Sequence, residues 1–298
     1  MKKMKNKIGL MVAIGIGDAY GRLLEGKPAS YIKDHNNLAY HSDEEGSAIG
    51  YYTDDTQQSI AIANHMLSNN PITQYDYIHM FNDIYRKDIR GGYSSRMNEL
   101  FSKDHANTYD LLTDAAKMIP RNSNGCVMRC LPHGLYPTIE KVKQASIIQT
   151  ATTHPTIDCM IASQTVSLLA HYWYHKMYRN ITSKDFLCQH IGIMNYYNVK
   201  DAWRGEMLPC NALQTASVCL NLVGDMAYGG MSDLLKSSVA MGGDVDSSAA
   251  LCLGLAALSG IYPNDLPEEL FDNLENNTYG RDYLIELDSK LIDMFPSL

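Results

Sequence analysis

Residues 8 to 24 carry apolar side chains at helix-like intervals and stop at Gly26-Lys27-Pro28, which predicts a buried first helix. A polar stretch follows from about Ser30 to Gly50, rich in Gly, Ser, His and acidic residues. A loop of that length in a compact chain often carries function, so it is expected to be a lid or binding segment. The helical period resumes after Thr53 through Ile60, Ala61, Ala63, Met66 and Leu67, ending near Asn69-Asn70-Pro71. Further helices are predicted at about 73–87, 108–118, 141–152, 157–178, 211–223 and 231–240. The run from Val245 to Ile261 is apolar on nearly every face, as expected of a helix at the centre of a large helical protein. Hairpin turn pairs are scarce, and no linker, repeat or low-complexity segment interrupts the chain. The pattern predicts one all-α domain over residues 1–298.

Composition narrows the partners. The formal charge of -8 and scattered basic residues argue against direct affinity for nucleic acid, which needs a basic face. The Ile8–Ile16 run is too short to span a bilayer, and the aspartates and serines at the start of the 245–261 run disfavour a membrane reading, so no membrane partner is expected. The seven cysteines, Cys126, Cys130, Cys159, Cys188, Cys210, Cys219 and Cys252, form no C-x-x-C and no zinc-like cluster. The lysines at 2, 3, 5 and 7 ahead of Ile8–Ile16 imitate a signal peptide, but no A-x-A-like cleavage site follows. The expectation is a cytoplasmic protein, with a monomer favoured.

Two acidic clusters stand at helix starts: Thr53-Asp54-Asp55-Thr56 and Gly242-Gly243-Asp244-Val245-Asp246-Ser247-Ser248. Either alone could be an N-cap with acidic residues complementing the helix dipole. Capping needs one carboxylate, however, and each cluster has two beside a hydroxyl. If their helices pack side by side, four carboxylates converge, and divalent cations would offset the repulsion. Oxygen ligands without neighbouring His or Cys favour Mg²⁺, Mn²⁺ or Ca²⁺ over zinc.

Gly17-Asp18-Ala19-Tyr20-Gly21, Leu24-Glu25, Tyr52-Thr53-Asp54-Asp55-Thr56, Ser123-Asn124-Gly125-Cys126-Val127-Met128-Arg129, Thr153-His154 and Gly242-Gly243-Asp244-Val245-Asp246-Ser247 together resemble, in order, the motif series of the ADP-ribosylglycohydrolase family. The resemblance runs from about residue 8 to 275, including Leu266-Pro267. It implies an orthogonal multi-helix bundle with a binuclear metal site in a central cleft. The implied ligands to two Mg²⁺ ions, with Mn²⁺ able to substitute, are Thr53, Asp54, Asp55, Asp244, Asp246 and Ser247. It also implies cleavage of the glycosidic bond between ADP-ribose and an acceptor, with Glu25, Asp55 and Asp246 in catalytic roles. Substrate contacts are expected from Gly92, Ser95, Ser123, Asn124, Gly125, Cys126 and His154, the pyrophosphate lying near 123–126 and His154.

Glu25 matches a glutamate on a mobile loop, suited to acid/base work or gating. Asp18, between glycines, reads as structural support for nearby backbone donors. Val245 and Ser247 replace the family's usual threonines; Ser247 keeps the ligand oxygen. The segment Arg90-Gly91-Gly92-Tyr93-Ser94-Ser95 lacks the aspartate and asparagine of some arginine-specific members, which weakens an arginine-linked substrate. Two rivals remain: a non-enzymatic ADP-ribose-binding or structural relative, and a metal-dependent phosphoester hydrolase of another fold. The latter would need a His or Asp nucleophile near the metals, and none is evident.

Overall fold

The fold is built on two apolar helices that pack along each other. A computed structural model describes residues 8–42, 49–178, 180–203, 211–224 and 229–298. The lysines at 2–7, Cys210 and residues 43–48 of the predicted polar loop lie outside them. Among the described residues there are fifteen α-helices and no strand; one isolated antiparallel bridge pairs Ser123 with Asn211.

In order, the helices are α1 (Leu10–Gly21), α2 (Ala29–His35), α3 (Asp54–Ser68), α4 (Gln74–Lys87), α5 (Ser95–Ser102) and α6 (Thr108–Ala116). After two short turns of 3₁₀-helix at Asn124–Cys126 and Leu131–Leu135 come α7 (Ile139–Thr153), α8 (Ile157–Tyr174), α9 (Ser183–Ile191) and α10 (Ile193–Lys200). The chain continues through α11 (Ala212–Cys219), α12 (Met231–Ala240), α13 (Val245–Ser259), α14 (Glu268–Asp272) and α15 (Arg281–Met294).

Helix α1 is buried along its whole length, and α13 is buried at every position but Leu258. Helices apolar on all sides gain most by lying at the centre, where each face removes area from water. Their close approach depends on missing side chains. A Cβ on Gly17 would lie 2.5 Å from the Ala249 carbonyl, and one on Gly21 would strike the Asp246 backbone. The glycines of the first motif therefore seat α1 against the turn that carries the late aspartates. Helix α15 closes α1 from outside: Asp288 accepts from the amides of Met11 (2.8 Å) and Val12 (3.2 Å), capping a helix whose own N-cap, Gly9, has no side chain to do so.

The polar stretch from Ser30 to Gly50 is not all loop. Helix α2 occupies its start, holding on through Ile32 as its one buried residue. A seven-residue helix with a single inward side chain shows no apolar period, so the sequence pattern passed over it. The predicted helix 211–223 is α11 followed by a π-helical turn, Leu220–Gly224.

Candidate functional site

Asp18 organises the start of α3. Its carboxylate, fully buried on α1, accepts from the amide (2.9 Å) and hydroxyl (2.8 Å) of Thr53 and from the amide (2.9 Å) and hydroxyl (2.6 Å) of Thr56. This is the structural support that an aspartate between glycines suggested. With these donors satisfied by Asp18, and Asp55 N donating to Thr53 Oγ1 at 3.5 Å, the carboxylates of Asp54 and Asp55 are not consumed in capping α3.

The second cluster behaves likewise. Asp244 is the N-cap residue of α13, yet its side chain makes no cap bond. Its Oδ2 accepts from Asn124 Nδ2 at 2.8 Å, while Oδ1 is buried without a partner. Asp55 Oδ1 is buried and unpartnered too. Asp246 Oδ1 accepts from the Ser247 amide at 2.8 Å. These carboxylates face a common cavity of about 340 Å³, within the range of small-molecule pockets. Its walls include Glu25, Asp54, Asp55, Asp244, Asp246 and Ser247.

One oxygen each from Glu25, Asp244 and Asp246 can lie within 4.8 Å of the others, close enough to share a cation. Glu25 is exposed at the cavity rim, and its carboxyl is pushed up to about 7 by desolvation and by the charges of Asp244 and Asp18. The carboxyls of Asp54, Asp55 and Asp246 are raised well above the ordinary range, by burial first and then by neighbouring charge, Asp18 leading for Asp54 and Asp55 and Asp244 for Asp246. Such a group of buried acids is costly without a counter-charge. Among the described residues lining the cavity, Arg129 is the one Lys or Arg, and its hydrogen bonds go to neutral groups on Gln58, Gln149 and Thr153. Oxygen-only donors with two orphaned carboxylate atoms fit a hard divalent cation.

Ser123, Asn124, Gly125 and His154 also belong to the cavity lining. His154 hydrogen-bonds Ser123 Oγ through Nε2 at 3.0 Å and Thr153 Oγ1 through Nδ1 at 2.8 Å. Burial first, then the charges of Arg129 and Arg96, hold it well below the usual histidine range, so the ring is neutral. Gly92 belongs to the lining through a special backbone: its φ is +98°, and a Cβ there would lie 2.9 Å from Thr53 Cβ and collide with Asp54 Oδ1.

Three expected residues stand elsewhere. Thr53 is behind the carboxylates, its hydroxyl donated to Asp18. Cys126 is fully buried with its thiol directed at the Ser123 and Cys159 carbonyls, away from the cavity, because the 3₁₀ turn at 124–126 rotates it inward. Ser95 is exposed and outside the lining; Ser94, which caps α5 by accepting from Met97 N at 3.4 Å, takes its place at the wall. Sequence reasoning also missed Gln58, Met97, Met128 and Arg129 as wall residues. Gln58 had a signal, being four residues after Asp54 and so on the same helical face. Arg129 had one in closing the Ser123–Arg129 motif.

Behind the wall, Arg90 holds the 91–92 loop. Its guanidinium pairs with Glu275 and with Asp88 (2.6 Å), donates to the Tyr52 carbonyl (3.2 Å) and sits 3.7 Å over the Tyr52 ring. No helix among the described residues is long and apolar enough to cross a membrane.

No curated protein matches the chain. A solved structure titled "ADP-ribosylglycohydrolase-related protein complex" superposes with a TM-score of 0.68 at 17% identity, covering 96% of each chain, and so shares the fold. The sequence profile described as ADP-ribosylglycohydrolase matches residues 2–297. The chain belongs to the ADP-ribosylglycohydrolase family.

Proposed function

We propose that the chain is a Mg²⁺-dependent hydrolase, acting as a single domain, that cleaves the glycosidic bond between ADP-ribose and an acceptor. The observation that carries this reading is the cavity in which Glu25, Asp54, Asp55, Asp244, Asp246 and Ser247 meet, with carboxylate oxygens of Asp55 and Asp244 buried and unpartnered. Two Mg²⁺ ions, or Mn²⁺ in their place, would be held by Asp54, Asp55, Asp244, Asp246 and Ser247, and by Thr53 only through a lone pair of the hydroxyl whose hydrogen goes to Asp18. Such ions supply Lewis-acid polarisation of substrate oxygens and a more acidic bound water.

The protein's own groups do the rest. Asp18 fixes the α3 N-terminus, so the two aspartates that follow are aimed rather than free to cap. Asn124 donates to Asp244 and so holds one of its two carboxylate oxygens in place. Gly92 gives a ligand close access beside Asp54. Ser123, Asn124, Gly125 and His154 form the side that would meet the pyrophosphate, and Glu25 at the rim would transfer the proton or close over the substrate.

The test is a panel of ADP-ribosylated substrates with arginine, serine and nucleobase linkages, incubated with and without Mg²⁺ while free ADP-ribose is measured. Release that stops with EDTA and in Asp246→Asn supports the proposal. Absence of release from every substrate, with ADP-ribose still bound, points to a binding protein instead.

A further inference from the structure

The hydrogen bonds behind the cavity wall have a direction, and it is set by Arg129. A guanidinium only donates. The Arg129 Nη2 group reaches Thr153 Oγ1 at 2.7 Å, so Thr153 accepts there. Thr153 is buried, and its hydroxyl has one hydrogen and one other partner among the described residues, His154 Nδ1 at 2.8 Å. A buried hydroxyl hydrogen without an acceptor is penalised, which makes Thr153 the donor and Nδ1 the acceptor. A neutral imidazole with Nδ1 accepting carries its proton on Nε2. That N–H then donates to Ser123 Oγ, 3.0 Å away. Ser123 lines the cavity, and its hydroxyl hydrogen has no acceptor among the described residues.

We propose that Arg129 and Thr153 are positioning residues that lock His154 in the Nε2–H tautomer and thereby turn the Ser123 hydroxyl into a hydrogen-bond donor directed at the substrate. The opposite tautomer would make Nε2 an acceptor, draw the Ser123 hydrogen to itself and present only lone pairs to the ligand. An oxygen that can accept but not donate, such as a phosphate oxygen of ADP-ribose, discriminates between the two. The inference rests on the proposed function for the identity of the ligand, whereas the tautomer is a property of the unliganded protein. Arg129 is itself held in place, since Nε donates to Gln149 Oε1 (2.8 Å), Nη1 donates to Gln58, and the guanidinium lies 3.9 Å over the Phe81 ring.

Nitrogen chemical shifts of the His154 ring and titration with ADP-ribose and with Mg²⁺ test this in the wild type, Thr153→Val and Thr153→Ser. The wild type should show Nε2–H. Thr153→Val, which keeps the shape but not the hydroxyl, should lose the single tautomer and bind ADP-ribose about tenfold more weakly, the loss of roughly one hydrogen bond. Thr153→Ser should restore both, and Mg²⁺ affinity should be unchanged in all three. A wild-type Nδ1–H ring, or a valine variant with wild-type tautomer and affinity, overturns the proposal. If the wild type binds neither Mg²⁺ nor ADP-ribose, the functional reading fails, and the ring shifts still decide whether the relay exists.

Discussion

Replacing Asp246 with Asn should stabilise the metal-free protein and weaken its response to Mg²⁺. In the metal-free chain the Asp246 carboxyl is buried and raised well above the ordinary range, by desolvation first and then by Asp244, Asp55 and Glu25. Asparagine removes the charge from that group, and its side-chain oxygen still accepts from the Ser247 amide as Oδ1 does. The metal-free variant should therefore melt at the wild-type temperature or above it. Metal reverses the order. Binding at a hundredfold excess over Kd stabilises the native state by about 2.7 kcal/mol. An unfolding entropy of about 2.1 cal/mol/K per residue over 298 residues comes to about 0.6 kcal/mol/K, so the wild type should gain about 4 °C. A variant with Kd weakened by one to two powers of ten should gain about 2 °C or less at the same concentration. Differential scanning fluorimetry with MgCl₂, against NaCl at matched ionic strength to account for screening, reads both quantities. An equal Mg²⁺ shift in both proteins, or a metal-free variant melting several degrees lower, would refute the counter-charge argument.

Gly92→Ala should weaken Mg²⁺ binding at least tenfold by calorimetry, because the new Cβ must displace Asp54 and the backbone is at a φ that L-residues avoid. Arg90→Met should cost about 3–5 kcal/mol in urea unfolding by leaving Glu275 buried without its partner, and adding Glu275→Gln should recover at least half. His133, fully buried with Tyr77 OH on its Nε2, has its pKa lowered to about 3 by desolvation, with His65 and Arg129 adding to it. The unfolded chain then binds the extra proton between about pH 6.5 and 3, so stability falls as pH drops through that window, by up to about 5 kcal/mol; His133→Gln should flatten this slope in urea midpoints measured across it.

The sequence pattern read the central elements well because they bury the most. Helix α12 spans the predicted 231–240, and α13 lies within the predicted apolar run, since apolar side chains on every face leave one reading. The helices it passed over are peripheral. Helix α9 buries only Phe186 and Leu187, α10 only Tyr196 and Val199, and α5 three residues of eight. Helix α15 is longer and buries Leu284, Leu287, Asp288 and Leu291, but an aspartate at an inward position breaks the apolar stripe. That aspartate faces inward to cap α1, about 280 positions away in sequence, and no local pattern encodes such a partner.

The same limit separates the parts of the site. Acidic pairs at helix starts are visible as residue types, and the ordered motifs placed them near one another without showing how. Which oxygen is spoken for is decided at long range: Asp18 takes the donors at the start of α3 from 35 residues away, and Asn124 takes one oxygen of Asp244 from 120 away. Cys126 and Ser95 show the converse. Both sit inside motifs that reach the cavity, but a 3₁₀ turn rotates one thiol inward and a helix cap gives the other's place to Ser94. A motif thus identifies the segment that approaches a ligand, while side-chain direction follows from the hydrogen bonds that close each turn. Arg129 is where this matters most, because a buried guanidinium bonded to neutral groups looks like packing until its donors are followed through Thr153 and His154 to the wall of the cavity.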